Sequence, residues 1–317
     1  MSNERTEDGL RALTLTGADL EAAFVPEAGM VGCSLRHRGE ELLGQREGLR
    51  AYAAHGGTMG IPLLHPWANR VARTRFEVAG REVALDAASP RVQLDPKGLP
   101  IHGLLAGTRG WEVESHEPAG EPATLRARFD FAAHPDLIAA FPFPHEVLCE
   151  ITLGGDTLRI ETTVRATGEV EVPIAFGYHP YFRLPGTDRA DWEVEMPVRE
   201  RLDLDGQMLP TGGRERVEPV TGALGRRTFD DGYLAPPGAR PFVLAGAGRR
   251  VEVSFEAGYP FAQVYAPADD DVVAYEPMTA PTNALVSGEG LSWVAPENVY
   301  RAAFAITVIE ERAWTGD

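Results

Sequence analysis

The sequence predicts an all-β fold, a large and mostly antiparallel β-sandwich. Three observations support this prediction. Short runs along most of the 317-residue chain alternate between apolar and polar residues, which is the period of a strand, because successive side chains point to opposite faces. The 34 glycines and 25 prolines are spread between these runs, as tight turns between many short strands require. Few stretches show the i, i+3, i+4, i+7 spacing of an amphipathic helix.

Several elements can be placed along the chain. Two hairpins are predicted, one in residues 76–85 (FEVAGREVAL) around an Ala-Gly turn and one in residues 145–165 around a Gly-Gly-Asp turn. Three more strands are expected in residues 241–266, and a last strand in residues 301–310. Residues 136–140 precede two prolines and are predicted to form a short helical turn.

The chain shows no internal division. It contains no Pro-, Gly- or Ser-rich linker and no repeat, so residues 1–317 are predicted to form a single domain, with residues 1–10 flexible. Because so many strands must share one core, a sandwich of large sheets is favoured over a small barrel.

Composition narrows the possible partners. The formal net charge of −17 would repel phosphate backbones and anionic membranes, so neither nucleic acid nor a membrane is expected as a partner. The polar N-terminus does not resemble a signal peptide, and no apolar run reaches the length of a membrane helix, so a soluble cytoplasmic protein is predicted. Cys33 and Cys149 lie in apolar strand patterns and are expected to act as small hydrophobic residues, although one disulfide stays possible.

Familiar cofactor and nucleophile motifs are missing. Residues 145–149 (HEVLC) begin like the zinc-binding HExxH motif but end in cysteine, and they lie in a strand pattern. The sequence contains no GxGxxG, Walker or GxSxG motif. We therefore expect no metal, no nucleotide cofactor and no esterase triad.

Five other segments combine polar residues with aromatic, proline or glycine residues at predicted strand ends. On a β scaffold, functional side chains are commonly displayed at such ends. The segments are residues 60–71 (GIPLLHPWANRV), 99–104 (LPIHGL), 176–184 (FGYHPYFRL), 228–234 (TFDDGYL) and 261–285 (FAQVYAPADDDVVAYEPMTAPTNAL).

The order of these segments resembles the aldose 1-epimerase (galactose mutarotase) family. That family shows PW-x-NR, IHG, G-x-HPYF, D-x-x-F/Y, Q-x-Y and a glutamate before a Thr/Pro-rich turn. The corresponding residues are 66–70, 101–103, 177–182, 230–233, 263–265 and 276–279. The resemblance covers essentially the whole chain and implies the galactose mutarotase-like supersandwich fold.

The resemblance also implies an activity, the interconversion of the α and β anomers of a hexose without cofactor. By this match Glu276 is the base, and His179 is the acid that protonates the ring oxygen. A carboxylate and an imidazole suit these tasks near neutral pH. The residues expected to hold the sugar hydroxyls are Asn69, Arg70, His102, Asp230 and Gln263. Trp67, Tyr178 or Phe182 is expected to offer the ring a flat apolar face.

Some assignments stay open at this stage. The D-x-x-Y spacing is the only reason to choose Asp230 over Asp231, and Arg70 could pair with a carboxylate. His179, Glu276, His102 and Gln263 also have ordinary structural interpretations, and His65 is left as a loop histidine.

Three functions follow from the same residues. The first is a mutarotase of free hexoses. The second is a mutarotase of hexose 6-phosphates, for which Arg70 with Arg73 or Arg75 could bind the phosphate. The third is a non-catalytic sugar-binding protein, which would need neither an acid nor a base.

Overall fold

Strands provide most of the regular structure in the computed structural model, which describes residues 4–236 and 238–310. The first strands are β1 (Glu4–Glu7), β2 (Leu10–Thr16), β3 (Leu20–Val25), β4 (Val31–His37), β5 (Glu40–Glu41), β6 (Leu63–Leu64), β7 (Arg75–Val78), β8 (Arg81–Ala84), β9 (Glu112–Glu117), β10 (Ala123–Asp130), β11 (His145–Gly154), β12 (Thr157–Ala166) and β13 (Val172–Ile174). The remaining strands are β14 (Gly177–Tyr178), β15 (Tyr181–Phe182), β16 (Glu193–Met196), β17 (Glu200–Leu204), β18 (Pro210–Arg216), β19 (Val220–Ala223), β20 (Phe229–Leu234), β21 (Phe242–Gly246), β22 (Arg249–Ala257), β23 (Phe261–Ala266), β24 (Val273–Met278), β25 (Ser292–Val294) and β26 (Val299–Glu310). The helices are short: α1 (Leu49–His55), α2 (Pro135–Ala140) and α3 (Ala284–Ser287), with 3-10 turns at Pro26–Ala28, Phe131–Ala133 and Arg189–Asp191.

The strands form three larger sheets and two small ones in the described part of the chain. The five-stranded sheet has the order β1-β2-β3-β4-β5, and the nine-stranded sheet has the order β19-β16-β21-β22-β26-β12-β11-β10-β9. The eight-stranded sheet has the order β18-β17-β20-β23-β24-β14-β6, with β15 paired to β24. Two-stranded sheets pair β13 with β25 and β7 with β8. Neighbouring strands run antiparallel in all five, as predicted.

The nine-stranded and eight-stranded sheets pack face to face. Tyr178 of β14 lies against Phe304 of β26, with ring centroids 5.0 Å apart, and its hydroxyl lies 2.7 Å from Oγ1 of Thr162 in β12. Phe242 of β21 lies 5.2 Å from Tyr275 of β24. These contacts from opposite faces produce the layered core of a sandwich, which confirms the predicted fold class.

Strand β11 shows how the sequence pattern produces this layering. Its residues alternate strictly between buried and partly exposed positions. The buried set consists of His145, Val147, Cys149, Ile151 and Leu153, which all lie on the face toward the core because side chains in a strand alternate. The alternation read from residues 145–165 is confirmed.

The predicted turns and helix are also confirmed. Ala79 and Gly80 connect β7 to β8 with φ angles of 49° and 73°, the left-handed pair that a tight two-residue hairpin requires. Gly154 pairs with Thr157, so a two-residue turn also joins β11 to β12. Helix α2 covers the predicted helical turn at residues 136–140, and β26 contains the strand predicted at residues 301–310.

Near the N-terminus, Glu4–Glu7 form β1 and pair with β2, which extends the five-stranded sheet. That residues 1–10 are flexible stays a prediction. Residues 1–3 lie outside the described residues. That residues 1–317 form a single domain stays a prediction.

Cys33 and Cys149 are both free and buried, so the possible disulfide is not formed. Within residues 4–236 and 238–310, none of the helices has the length and hydropathy that a membrane crossing needs.

Candidate active site

The eight-stranded sheet places the two expected catalytic residues side by side. Gln263 of β23 pairs with Glu276 of β24. Gly177 and Tyr181, two residues on either side of His179, pair with the β24 residues two positions on either side of Glu276. His179 therefore lies opposite Glu276 in the register of the sheet. The backbone ladder, rather than a mobile loop, fixes their separation.

His179 and Glu276 are in direct contact. The Nε2 atom of His179 lies 3.2 Å from Oε1 of Glu276, and the two residues are only 5% and 1% exposed. Tyr181 stacks on the imidazole with ring centroids 4.1 Å apart, and its hydroxyl lies 3.1 Å from Nε2. Thr58 holds that hydroxyl, with its Oγ1 at 2.5 Å. The acid and base candidates thus sit in a packed, hydrogen-bonded setting.

Burial shifts the pKa values of this pair in opposite directions. Desolvation lowers the pKa of His179 well below its usual value, and nearby His102 and Arg46 add to the effect. Desolvation raises the pKa of Glu276 well above its usual value, with a further rise from Asp230 and an opposing effect of Arg70. Both shifts favour the uncharged forms. Opposed shifts in neighbouring titratable groups are typical of proton-transfer sites.

The pair borders a cavity of about 180 Å³. Its lining residues are Arg46, Thr58, Asn69, Arg70, Ile101, His102, His179, Tyr181, Asp230, Tyr265 and Glu276. Six of the seven residues selected from the sequence are therefore brought together. Gln263 lies behind this layer, 2% exposed, and donates from Nε2 to Oδ1 of Asp230 at 2.7 Å.

Arg70 lines the cavity, and hydrogen bonds to Asp95 and Asn69 hold its side chain in place. Its Nε donates to Oδ2 of Asp95 at 2.7 Å and its Nη1 to Oδ1 of Asn69 at 3.0 Å. Asp95 is itself held by the backbone N–H groups of Lys97 and Leu99, each at 2.9 Å. Arg70 thus both pairs with a carboxylate, that of Asp95, and lines the cavity. Sequence reasoning missed Asp95, which lies outside the recognised motifs.

The choice between Asp230 and Asp231 follows from strand alternation. Asp230 lines the cavity, and desolvation raises its pKa. Asp231 points to the other face, where its Oδ1 lies 3.6 Å from Nη1 of Arg201. Neighbouring residues of β20 face opposite sides of the sheet, so only Asp230 can meet a ligand there.

His102 lies next to His179 in the wall of the cavity. Their ring centroids are 5.6 Å apart in an edge-on arrangement at 81°. Desolvation lowers the pKa of His102 to about 3, with smaller contributions from Arg70 and Arg46. A neutral imidazole offers one donor and one acceptor nitrogen, which suits a hydroxyl ligand.

Three cavity residues have strained backbone conformations. Arg46, Asn69 and His102 have φ angles of 46°, 55° and 65°, in the left-handed region that non-glycine residues rarely adopt. Such strain is commonly concentrated where function fixes a side chain. The three residues come from loops, in contrast to Glu276 on its strand.

The prediction that Trp67, Tyr178 or Phe182 offers the sugar ring a flat apolar face was wrong. Trp67, Tyr178 and Phe182 are at most 4% exposed and belong to the main apolar cluster. The residues that line the cavity are instead Tyr181 and Tyr265. In the segment 176–184 side chains alternate, so Tyr178 faces the nine-stranded sheet while His179 and Tyr181 face the cavity. The i, i+2 relation to His179 is a signal that could have identified Tyr181.

Two other residue groups lie away from the cavity. Arg73 and Arg75 do not line it, and Arg75 donates to Glu82 at 2.7 Å on the exposed β7–β8 hairpin. His65 is not an ordinary loop residue, because it is buried and its Nε2 lies 2.7 Å from Nε2 of His145. Arg46 and Thr58 reach the cavity from loops outside the recognised motifs, and no sequence pattern marked them.

Comparisons with known proteins agree with the fold. This chain is similar to a galactose mutarotase-like protein from Clostridium acetobutylicum, with 16% identity, a TM-score of 0.84, and 97% of this chain and 98% of that chain covered. It is similar to the galactose 1-epimerase of Lactobacillus acidophilus NCFM, with 16% identity, a TM-score of 0.75, and 97% of each chain covered. A Synechocystis protein matches with 23% identity, a TM-score of 0.76 and 98% coverage of each chain.

At these identities the likeness shows the shared fold and confirms its galactose mutarotase-like type. No curated protein matches the chain. The sequence model described as Aldose 1-epimerase matches residues 11–307. Because that match covers most of the chain and agrees with the predicted motifs, the protein belongs to the aldose 1-epimerase family.

Proposed function

We propose that this protein is a mutarotase that interconverts the α and β anomers of a free aldohexose. One observation carries the proposal: a carboxylate and an imidazole meet at 3.2 Å beside a cavity lined with hydrogen-bonding groups. A hemiacetal carries its hydroxyl O1 and its ring oxygen O5 on the same carbon. Two proton-exchanging groups this close can therefore address both oxygens at once.

The reaction needs no group beyond these two side chains. Glu276 takes the proton of the O1 hydroxyl while His179 gives a proton to O5, and the C1–O5 bond breaks to leave an aldehyde. Rotation about C1–C2 presents the other face of the carbonyl. On closure, O5 attacks C1 and returns its proton to His179, while Glu276 returns a proton to O1. Both side chains end the cycle as they began.

Burial affects the two protonation states of the pair differently. Ring opening converts a carboxylate and an imidazolium into a carboxylic acid and a neutral imidazole. These are the forms that desolvation of Glu276 and His179 favours. The same desolvation makes the starting carboxylate and imidazolium the less populated forms, so the assignment of Glu276 as base and His179 as acid is supported by the family match and by their 3.2 Å contact.

The remaining cavity residues are proposed to hold the sugar hydroxyls. Asn69, Arg70, His102 and Asp230 line the cavity with donors and acceptors. Gln263 acts one layer behind, where its hydrogen bond orients the carboxylate of Asp230. A polar site group left unpaired against a buried ligand would cost about 1–3 kcal/mol, so these residues favour a polyhydroxylated ligand.

A free hexose is favoured over a hexose 6-phosphate. The phosphate alternative depended on Arg73 or Arg75 joining Arg70, and neither lines the cavity. Arg46 and Arg70 do line it, but Arg70 is paired with Asp95 at 2.7 Å, so the cavity does not hold a cluster of unpaired arginines. A non-catalytic sugar-binding protein would need neither an acid nor a base, so the contact between Glu276 and His179 argues against this alternative. A small-molecule sugar is accordingly the partner we propose.

Polarimetry tests the proposal. The purified protein should accelerate the approach of freshly dissolved α-glucose or α-galactose to its equilibrium rotation. Glu276→Gln is nearly isosteric, removes the base, and should lower kcat by about 10²–10⁴-fold. Arg75→Gln, on the exposed hairpin, is the matched control and should keep the wild-type rate. Full activity in Glu276→Gln, or no acceleration by wild type on any of a panel of aldoses, would reject the function.

A further inference from the structure

Arg46 lines the cavity but has no role in the chemistry described above. It lies on the loop after β5, outside every motif singled out from the sequence, and it lines the same cavity as Glu276 and His179. Its side chain is 30% exposed, in contrast to the deeply buried acid and base. Arg46 therefore stands at the open side of the cavity.

The loop holds Arg46 in a fixed place. Gly44 donates its backbone N–H to the carbonyl oxygen of Tyr181 at 2.9 Å, and Gln45 donates from Nε2 to the carbonyl oxygen of Cys33 at 3.1 Å. Arg46 follows with a φ angle of 46°. A left-handed arginine is unfavourable unless its surroundings impose it, so the chain directs this side chain to the cavity at a cost.

The guanidinium lies on the His179 side of the site. Its Cζ atom is 4.9 Å from the centroid of the Tyr181 ring, and that ring stacks on the imidazole of His179. Asp230 lies on the other side, nearer Glu276. Desolvation is the main cause of the raised pKa of Glu276, and the charge of Asp230 raises it further. A guanidinium thus lies beside the acid, whereas Asp230 and Arg70 both act on the base.

The guanidinium keeps donors for a ligand. Its side chain is hydrogen-bonded to the side chain of Tyr265, and its Nε atom lies 3.6 Å from Oδ2 of Asp270, which is longer than a hydrogen bond. Asp270 is itself 36% exposed. Arg70, by comparison, is held by two short hydrogen bonds from behind. Because a guanidinium carries five N–H donors, Arg46 keeps donors for a ligand beside its hydrogen bond to Tyr265.

We propose that Arg46 is a specificity-determining residue that donates to the oxygen on C6, the group attached to C5 of the pyranose. This inference rests on the proposed function, because that function sets His179 against O5. C5 is bonded to O5, so C6 lies two bonds from the atom that His179 protonates. Arg46 is the arginine that lines the cavity beside Tyr181, the ring that stacks on His179. The site thus selects aldohexoses over aldopentoses.

The experiment measures binding with pairs of sugars that differ only at C6. D-xylose is D-glucose without C6, and L-arabinose is D-galactose without C6. Dissociation constants from calorimetry or ligand-observed NMR are compared for wild type, Arg46→Gln and Arg75→Gln, and folding is checked by circular dichroism. Arg46→Gln should weaken the hexoses by about 10- to 100-fold, the range for a hydrogen bond from a charged donor. It should leave the pentoses unchanged.

The outcomes separate this inference from the proposed function. Equal weakening of hexose and pentose in Arg46→Gln, or no weakening of either, would overturn the role of Arg46. Equal affinity of the wild type for hexose and pentose would overturn it too, even if the variant failed to fold. Loss of mutarotation in Glu276→Gln would leave the proposed function standing in each case. Arg46→Lys, which keeps the charge but loses the planar fork, should fall between wild type and Arg46→Gln in hexose affinity.

Discussion

Two buried histidine contacts in this protein look alike, but only one of them is proposed to transfer protons. In the site, His179 contacts Glu276 at 3.2 Å. In the core, His65 contacts His145 at 2.7 Å between their Nε2 atoms. Desolvation lowers the pKa of His179 and of His145, in the latter case to about 4. Burial and a low pKa are therefore not enough to mark a proton-transfer residue.

The difference lies in the partner and in access. His145 donates from Nδ1 to the carbonyl oxygen of Phe143 at 2.6 Å, so its Nε2 must accept from His65. Phe131 stacks on the His145 ring with centroids 4.3 Å apart. The two histidines are packed among aromatic rings, and the hydrogen bond between them has a structural role. His179 has a carboxylate partner, whose pKa moves the opposite way, and a cavity beside it.

The largest contrast should appear when one histidine of each region is replaced. His179→Asn should lower kcat by about 10²–10⁴-fold with little loss of stability, because its burial is itself unfavourable. His145→Asn should keep the mutarotation rate per folded molecule but lose about 1–3 kcal/mol, since it leaves the buried donor of His65 unpaired. Polarimetry and urea unfolding of both variants measure this. A rate loss in His145→Asn comparable to that in His179→Asn would erase the distinction.

A smaller contrast is expected within strand β20. Asp230→Asn should reduce kcat/KM by about 10- to 100-fold, because a charged hydrogen-bond acceptor facing the sugar is lost. Asp231→Asn changes the adjacent residue, which points to the other face near Arg201, and should have no kinetic effect. Steady-state polarimetry on both variants decides which carboxylate meets the sugar. Similar losses in the two would contradict the strand alternation on which the assignment rests.

The smallest effect concerns pH and the core pair. The folded-state pKa of His145 is about 4, below the ordinary histidine value of 6.5, because burial disfavours the imidazolium. Between those values the unfolded chain binds a proton that folded His145 does not. The free energy of unfolding should therefore fall as the pH falls from about 6.5 to 4, by up to about 1.4 kcal/mol per pH unit.

His145→Gln should flatten this dependence by about one proton, as measured by urea titrations across that pH range. His55→Gln, at an exposed histidine, is the matched control. An unchanged slope in His145→Gln would mean that the core pair does not set the acid sensitivity of the fold.

Much of the fold could be predicted because it depends on local rules. The two hairpins follow from period-two alternation and from turn residues such as Gly80, with its φ of 73°. The six site residues found in the cavity were reached through motif order, since neither alternation nor composition distinguishes Glu276 among so many carboxylates. Their chemistry was predictable, and their mutual distance was not.

The errors share a physical cause. Alternation shows that Tyr178 and Tyr181 lie on opposite faces, but it does not show which face meets the second sheet and which meets the cavity. The partner of His65 is His145, 80 residues away in sequence, and only the packing of the sheets brings them together. Arg46 belongs to a loop whose course depends on tertiary hydrogen bonds, such as that from Gly44 to Tyr181.

The placement of Glu276 in register with His179 on one sheet has an evolutionary consequence. The proposed reacting pair is tied to a backbone ladder that insertions would disrupt. Arg46, Asn69 and His102 belong instead to connections whose length and composition are easier to change. Substrate preference can therefore diverge by exchanging loops while the proton chemistry is inherited intact. A lineage could thus acquire a new sugar without having to reinvent its reaction.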